Sequence, residues 1–471
     1  MSEEKKTEQS KTSSKKHYLS GKEVRAIAKA NAKEMRRLEK AKRLDLPESA
    51  FTTAMRDDGN ILEIDNLHSY FFTDQGVVKA VNGVTFNVPL NSTVGVVGES
   101  GCGKSVTSMS VMRLLQGPTG QIVEGSIRFK AYDFLRDEDG NFVPEYERGE
   151  DGKIKFEPVL DKNGKPILND DGSPKRHAVV KKDENGLPVY EKEEKVYDIA
   201  KMPMKEMYRL RGRQMSMVFQ EPMTSLNPVF TIGEQLDEVT LLHVPGASKE
   251  YAKKRSIDML NTVGIAMSER VYAAYPHELS GGMRQRVMIA MALACEPRLI
   301  IADEPTTALD VTIQAQILDL MMKLQKEMGM SIIMITHDLG VIAKMCDEVI
   351  VMYAGGICEQ GTADEIFYNP RHAYTKGLLR SVPRVDGSGK RLEPIRGTPI
   401  DLLNMPKGCP FAPRCAEALK ICLECKAPRL DINQFHKAAC WVNVAEKFDE
   451  GEITPEQLDE IIEKQGGRKN E

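Results

Sequence analysis

The alternation of apolar and polar positions divides the chain into stretches of different character. From Ile61 onward, β-branched runs (Ile61-Leu-Glu-Ile64, Val77-Val-Lys-Ala-Val81 and Thr93-Val-Gly-Val-Val97) are separated by Gly, Asn and Asp turn residues, which predicts strands and the start of a folded domain. A helix-rich stretch is expected from about Gly233 to Pro276. Two apolar runs follow, Leu299-Ile-Ile-Ala302 and Ser331-Ile-Ile-Met-Ile335, with a helical segment from Val311 to Met328 between them. Strand, helix, strand predicts a parallel sheet and an α/β fold. Apolar runs such as Val349 to Ala354 are about six residues long and none approaches the length of about 20 that a membrane-spanning helix needs, so no span is expected.

Two stretches break the pattern. Residues 1 to 43 carry 14 Lys/Arg against 6 Asp/Glu, and from Gly21 to Arg43 they are Ala-rich with no internal Gly or Pro. That stretch reads as a basic helix whose apolar face is mostly Ala, a solvated tail expected to fray, and no function is attached to it. Between about Arg136 and Val196 the chain holds five Asp-Gly or Asn-Gly pairs among 12 Lys/Arg and 16 Asp/Glu. Such pairs supply the positive φ angles of type I′ turns, so an insert of short charged hairpins is expected. None of these loops has alternating acidic oxygens closed by a Glu at position 12, which disfavours calcium.

The 471 residues, expected to form two or three domains, have a net charge of −4, leaving no global basic field to hold a polyanion, and nucleic acid is disfavoured as a partner. The hydrophilic start, Met1-Ser-Glu-Glu-Lys-Lys, lacks a secretory signal, so a cytoplasmic location with reduced thiols is expected. Five of the nine cysteines (Cys409, Cys415, Cys422, Cys425, Cys440) crowd near the C-terminus, where disulfides cannot explain them. Cys409, Cys415, Cys422 and Cys440 supply four thiolates, enough for one soft-metal site. Their spacing leaves zinc and a [4Fe–4S] cluster both open. Cys102, Cys295, Cys346 and Cys358 read as packing residues.

The clearest chemistry lies in Gly98-Glu99-Ser100-Gly101-Cys102-Gly103-Lys104-Ser105, which fits G-x-x-x-x-G-K-[ST] at every position between a strand and a helix-permissive stretch. Its backbone N–H groups can turn around phosphate oxygens, Lys104 neutralises the outer phosphates, and Ser105 offers a hydroxyl to Mg²⁺. Leu299-Ile-Ile-Ala-Asp303-Glu304 ends a second strand on a carboxylate suited to Mg²⁺ or its water, with Glu304 one step beyond as the base for an attacking water. Leu279-Ser280-Gly281-Gly282-Met283-Arg-Gln-Arg286 forms a further anion-binding helix start, which a single site already served by a phosphate loop does not need.

With these three motifs the chain resembles the ATP-binding cassette (ABC) family, in which Ser280, Gly281 and Gly282 match the signature that caps the γ-phosphate held by another subunit. Met283 stands where the family most often has Gln. By that resemblance Gln220 matches the Q-loop residue that touches metal or water, Asp310 the D-loop, and His337 the switch histidine. Phe71, with Tyr70 as the alternative, matches the aromatic that stacks on adenine; Tyr70, Phe71 and Phe72 are adjacent. Ser216-Met-Val-Phe-Gln-Glu-Pro-Met-Thr-Ser-Leu-Asn-Pro228, Gly397-Thr-Pro399 and Gly408-Cys-Pro-Phe-Ala-Pro-Arg-Cys415 narrow the likeness to the oligopeptide/dipeptide importer ATPases of OppD/DppD type. In this group Pro usually follows the His of His372-Ala-Tyr-Thr375.

The resemblance implies a P-loop NTPase with a RecA-like core, an antiparallel β-subdomain and a helical subdomain. It implies an ATPase using ATP and Mg²⁺ held by Ser105, Gln220 and Asp303, with Glu304, His337 and Gln220 catalytic. It also implies a [4Fe–4S] cluster on Cys409, Cys415, Cys422 and Cys440, with zinc as the alternative and Cys425 left over. Implied partners are a second homologous ATPase (OppF/DppF-like), two permease subunits and an extracellular peptide-binding protein, at the cytoplasmic face of the membrane. The division expected is 1–59 as an N-terminal extension, 60–370 as the ATPase with the insert 136–196, 371–445 as a regulatory C-terminal region, and 446–471 as a charged tail. A rival reading is an ABC ATPase acting on ribosomes or nucleic acid, but those generally join two cassettes in one chain or insert a long coiled coil, and the insert here has no heptads.

Overall fold

The structure is a computed structural model of the 471-residue chain. It describes residues 20–42, 45–149, 151–162, 165–169, 171–183, 186–221, 225–307, 309–381 and 394–466. Two sheets organise it. One is a five-stranded antiparallel sheet in the order Thr52–Thr53, Lys192–Asp198, Gly120–Phe134, Asn60–Thr73 and Gly76–Pro89. The other has eight strands: Leu430–Asn433, His436–Ala438, Gly356–Thr362, Glu348–Tyr353, Thr93–Val97, Ser331–Ile335, Leu299–Asp303 and Met215–Val218. The last five of these run parallel, and the first three add an antiparallel edge.

The parallel strands are short and mostly apolar, and the three at Thr93–Val97, Leu299–Asp303 and Ser331–Ile335 are buried at every position because both faces are covered. Side chains alternate across a strand, so Ile300 and Ala302 face one core while Leu299 and Ile301 face the other. The first core joins the sheet to helices Gly281–Leu293 and Val311–Met328 through Val287, Ile289, Ile317 and Met321. The second joins it to the antiparallel sheet through Leu62, Ile64, Phe86, Ile127 and Phe129. Helices Ile232–His243, Lys249–Thr262 and Ser268–Ala273 form the expected helical stretch, the first closed by a capping box between Thr231 and Glu234. A third, small core of Ala412, Cys422, Cys425, Trp441, Val444 and Ile462 lies in the C-terminal region. No described helix is long and apolar enough to cross a membrane.

Two expectations change. The basic segment is a helix, Gly21–Lys42, but it docks on the antiparallel sheet. Asn31 and Leu38, seven apart on one face, are buried, Asn31 Nδ2 donates to Thr73 O at 2.7 Å, and Gln121 Nε2 donates to Glu39 Oε1 at 2.7 Å. Residues 1–19, 43 and 44 lie outside the described part. In the insert, the turns form hairpins but are not type I′. Gly140, Gly152, Gly172 and Gly186 have φ near +80°, while Asp139, Asp151 and Asp171 do not have positive φ. A type I′ turn needs both, so these are longer connections closed by one left-handed glycine. Asp137 N donates to Asn141 O and Gly140 N donates to Asp137 O, a pattern repeated at Asn169 and Asp183. Asn163, Gly164 and Asn185 are outside the described residues.

Candidate functional site

Four parallel strands deliver the chemistry from their carboxyl ends, the edge of an open α/β sheet where backbone groups are free to meet a ligand. Thr93–Val97 runs into Gly98, Leu299–Asp303 into Glu304, Ser331–Ile335 into His337, and Met215–Val218 into Gln220. The register sets their neighbourhood, since Asp303 pairs with Ile335 and Ala302 pairs with Val218.

The phosphate loop keeps its shape through glycine. Gly98 and Gly103 have φ of 151° and 104°, and a Cβ on either would lie 2.3 Å from a carbonyl oxygen, that of Met352 or of Ala80. Lys104, buried at the start of helix Lys104–Val111, donates to Gly98 O at 2.8 Å and Glu99 O at 3.2 Å. Ser105 Oγ donates to Asp303 Oδ1 at 3.1 Å. Burial pushes the Asp303 carboxyl up, with Glu304 adding to it and the Ser105 bond opposing it.

Glu304 is the centre of convergence. Its Oε2 accepts from Gln220 Nε2 at 2.7 Å and from Thr307 Oγ1 at 3.1 Å, while its Oε1 lies 3.1 Å from His337 Nδ1. Its backbone is in the left-handed region, φ 47°, held there by a bond from its N–H to Ile335 O at 2.8 Å. Such a conformation costs a non-glycine residue about 1–3 kcal/mol and clusters at functional sites. Thr307 was not singled out by sequence; its side chain three residues past Glu304 was the available signal.

The other motifs sit apart from this centre. Ser280 caps helix Gly281–Leu293, accepting from Met283 N at 3.3 Å. The nearest neighbours of Gly281 and Gly282 are Leu309 and Ile313, beside Asp310, which caps helix Val311–Met328. Val311 there is 83% exposed. Phe71 is half-buried in strand Asn60–Thr73, its ring so close to Gly120 that a Cβ there would lie 2.9 Å away, while the Tyr70 hydroxyl donates to Asn82 Oδ1. Residues 222–224 of the 216–228 motif and Ala308 of the D-loop lie outside the described residues.

A soft-metal centre is not supported. Among the described residues no group of three or more His, Cys, Asp or Glu is arranged to hold a metal ion. Cys422 and Cys425 pack with Trp441 and Val444 as small apolar side chains. Burial pushes the Cys409 and Cys440 thiols up, the latter to about 11, so the fold alone favours protonated thiols. Cys102, Cys346 and Cys358 are buried, as expected of packing residues, and Cys295 is half-buried.

The C-terminal region also reaches the phosphate loop, through residues whose role sequence reading missed. Arg414 forms a two-pronged ion pair with Glu99, Nη1 to Oε2 at 2.6 Å and Nη2 to Oε1 at 2.9 Å, and the Tyr374 hydroxyl accepts from Glu99 N at 2.7 Å. Both lie in stretches read for other features: Arg414 beside Cys415, Tyr374 beside His372.

Comparison with known proteins agrees with this geometry. The family described as "ABC transporter" matches residues 81–145 and 186–307, leaving most of the insert between the two parts, and "Oligopeptide/dipeptide transporter, C-terminal region" matches residues 358–422. The chain is 43% identical over 382 residues to the dipeptide transport ATP-binding protein DppD of Bacillus subtilis, covering 81% of this chain and 94% of that one. It is 44% identical over 383 residues to the oligopeptide transport ATP-binding protein OppD of the same organism, covering 81% and 88%. To OppD of Haemophilus influenzae it is 43% identical over 390 residues, covering 83% and 99%. With a phosphate loop, a paired carboxylate centre and an extra C-terminal unit in one chain, the protein belongs to the ATP-binding subunits of the oligopeptide/dipeptide ABC transporter family.

Proposed function

We propose that the chain binds ATP at the Gly98–Ser105 loop and hydrolyses it to drive peptide import, as one of two cassettes that close around two nucleotides. The observation that carries this reading is the convergence of Gln220, Thr307 and His337 on Glu304, beside the Ser105–Asp303 pair. Glu304 then serves as general base for the attacking water, with Gln220 and His337 orienting it. Ser105, Asp303 and Gln220 would hold Mg²⁺; the buried carboxylate of Asp303, bonded to a hydroxyl and raised by burial, suits a cation. The ion would supply counter-charge to the phosphates. Phe71 is the proposed adenine platform.

The signature supports a composite site. Ser280–Gly282 neighbours Leu309 and Ile313, whereas the glycines of the phosphate loop neighbour Ala80, Met352 and Gly355, so one chain offers two separate phosphate-binding features. Exposed Val311, next to Asp310, is an apolar position that a second cassette would cover. Partners in this reading are a homologous ATPase, two membrane permeases and a peptide-binding protein, with the chain peripheral at the cytoplasmic face. Exposed Phe219, Val229 and Phe230 beside the Gln220 loop suit the permease contact. The reading divides the chain into 60–370 and 371–445, although strands from the second part extend the sheet of the first.

The finer part of the reading puts a [4Fe–4S] cluster on Cys409, Cys415, Cys422 and Cys440. What speaks for it is one backbone contact that sets two of the four side by side, Cys409 N donating to Cys422 O at 2.7 Å. A cluster would supply the positive charge that four thiolates need. Iron and sulfide in anaerobically purified protein, lost in Cys409→Ser and kept in Cys425→Ser, would support it; stoichiometric zinc or neither element would sink it.

The main test is Glu304→Gln in the assembled transporter. The amide still accepts hydrogen bonds but takes no proton, so ATP binding is retained and turnover falls about 10²- to 10⁴-fold. Full turnover would remove Glu304 from the base's role.

A further inference from the structure

Glu99 is a carboxylate placed inside a loop whose task is to surround phosphates. Left alone, its charge would repel a triphosphate. Arg414 meets both of its oxygens in the two-pronged geometry that gives a guanidinium–carboxylate pair its strength, and only 5% of the Arg414 side chain is exposed. Arg414 is itself fixed from several sides. Its Nε donates to Arg396 O at 3.0 Å, its Nη1 reaches the Tyr353 hydroxyl at 3.3 Å, and its guanidinium lies 5.8 Å from the rings of Tyr353 and Phe411.

The pair continues into the nucleotide machinery. Glu99 N donates to Tyr374, which is fully buried, and Glu99 O accepts from Lys104, the residue that must swing onto the outer phosphates. Pro399, Ile400 and Leu402 line a cavity of about 110 Å³ together with Glu99, Gly101 and Cys102. Residues 275 and 315 positions away in sequence thus hold the backbone and the side chain of one phosphate-loop residue.

We propose that Arg414 is a positioning residue of the phosphate loop: by neutralising and anchoring Glu99 it makes nucleotide affinity depend on the folded C-terminal region. The proposal rests on the reading that ATP binds this loop. A fluorescent ATP analogue titrated against the full chain measures the effect. Arg414→Ala is expected to weaken binding about tenfold, within the range of typical site-to-site couplings, and Arg414→Lys, which keeps charge but not the fork, to fall between. The double variant Glu99→Gln/Arg414→Ala should return to within about twofold of wild type, because the repelling charge is gone. Glu99→Gln alone should bind at least as tightly as wild type, and this variant carries the test if Arg414→Ala does not fold, as judged by its melting curve. Unchanged affinity in Arg414→Ala, a double variant as weak as the single one, or clear weakening by Glu99→Gln would overturn the proposal. Wild-type chain that binds no ATP would instead overturn the functional reading and this inference with it.

Discussion

The central parallel sheet and the insert between Phe134 and Lys192 are both built of β structure, and they cohere for opposite reasons. In the sheet, Ile301, Ile332 and Met334 have no exposed surface, and order comes from burial on two faces. In the insert, Leu168 is 60% exposed and Phe156 56%, and the strands meet mostly at isolated bridges such as Pro144 with Tyr190 and Lys182 with Pro188. There the glycine turns do the organising. The difference teaches that turn chemistry, with one small aromatic contact of Phe142 and Tyr190 on Phe134, can shape a surface module, whereas the edge that carries the candidate site rests on strands locked on both faces.

The comparison predicts a large gap in response to the same truncation. Ile301→Ala should destabilise the protein by about 2–5 kcal/mol, the usual cost of a cavity in a packed core. Leu168→Ala should stay within about 0.5 kcal/mol. Chemical denaturation of both variants measures the gap, and equal losses would break the contrast.

The sheet side of the comparison also carries a pH-dependent term, at a buried histidine. Burial lowers His372 from 6.5 to about 4, and its ring accepts from Tyr374 N at 3.0 Å to cap helix Ala373–Arg380. Because the unfolded chain takes up this proton near pH 6.5 and the folded one only near 4, the contribution is fully present above 6.5 and is lost as pH falls toward 4, by at most about 3 kcal/mol. Melting curves from pH 7 to 4 should flatten in His372→Asn relative to wild type; an unchanged slope would sink the argument.

The smallest expected effect sharpens the comparison most. Replacing 136–190, which spares the sheet strand Lys192–Asp198, by a short Gly/Ser linker should leave nucleotide affinity within about twofold, since closure entropy varies slowly with loop length. Loss of binding in a folded deletion variant would make the insert part of the site. Loss of transport alone would make it a contact for a partner.

Much of the site was legible because its parts are local. A phosphate loop is eight consecutive residues whose glycines act through their backbone and whose lysine side chain reaches the same spot, and Asp303-Glu304 follows directly on its strand. The turns of the insert were legible for the same reason, although the turn type was not: whether Asp139 also takes positive φ depends on how the flanking strands pair. The docking of helix Gly21–Lys42 was not legible either. Its buried contacts are a single Asn and a single Leu, a face too sparse to stand out from an Ala-rich background.

Composition, periodicity and short motifs therefore determined the α/β class, the parallel strands, the phosphate loop and the carboxylates, each specified by neighbours in sequence. The tertiary structure alone decided which contacts these groups make. It brought Gln220, Thr307 and His337 onto Glu304, docked the N-terminal helix, extended the core sheet with C-terminal strands and placed Arg414 on Glu99. An ion pair between residues 99 and 414 leaves no periodic trace in either segment. It exists because packing around Tyr353, Tyr374 and Phe411 carries one segment to the other, and that packing is a property of the whole fold.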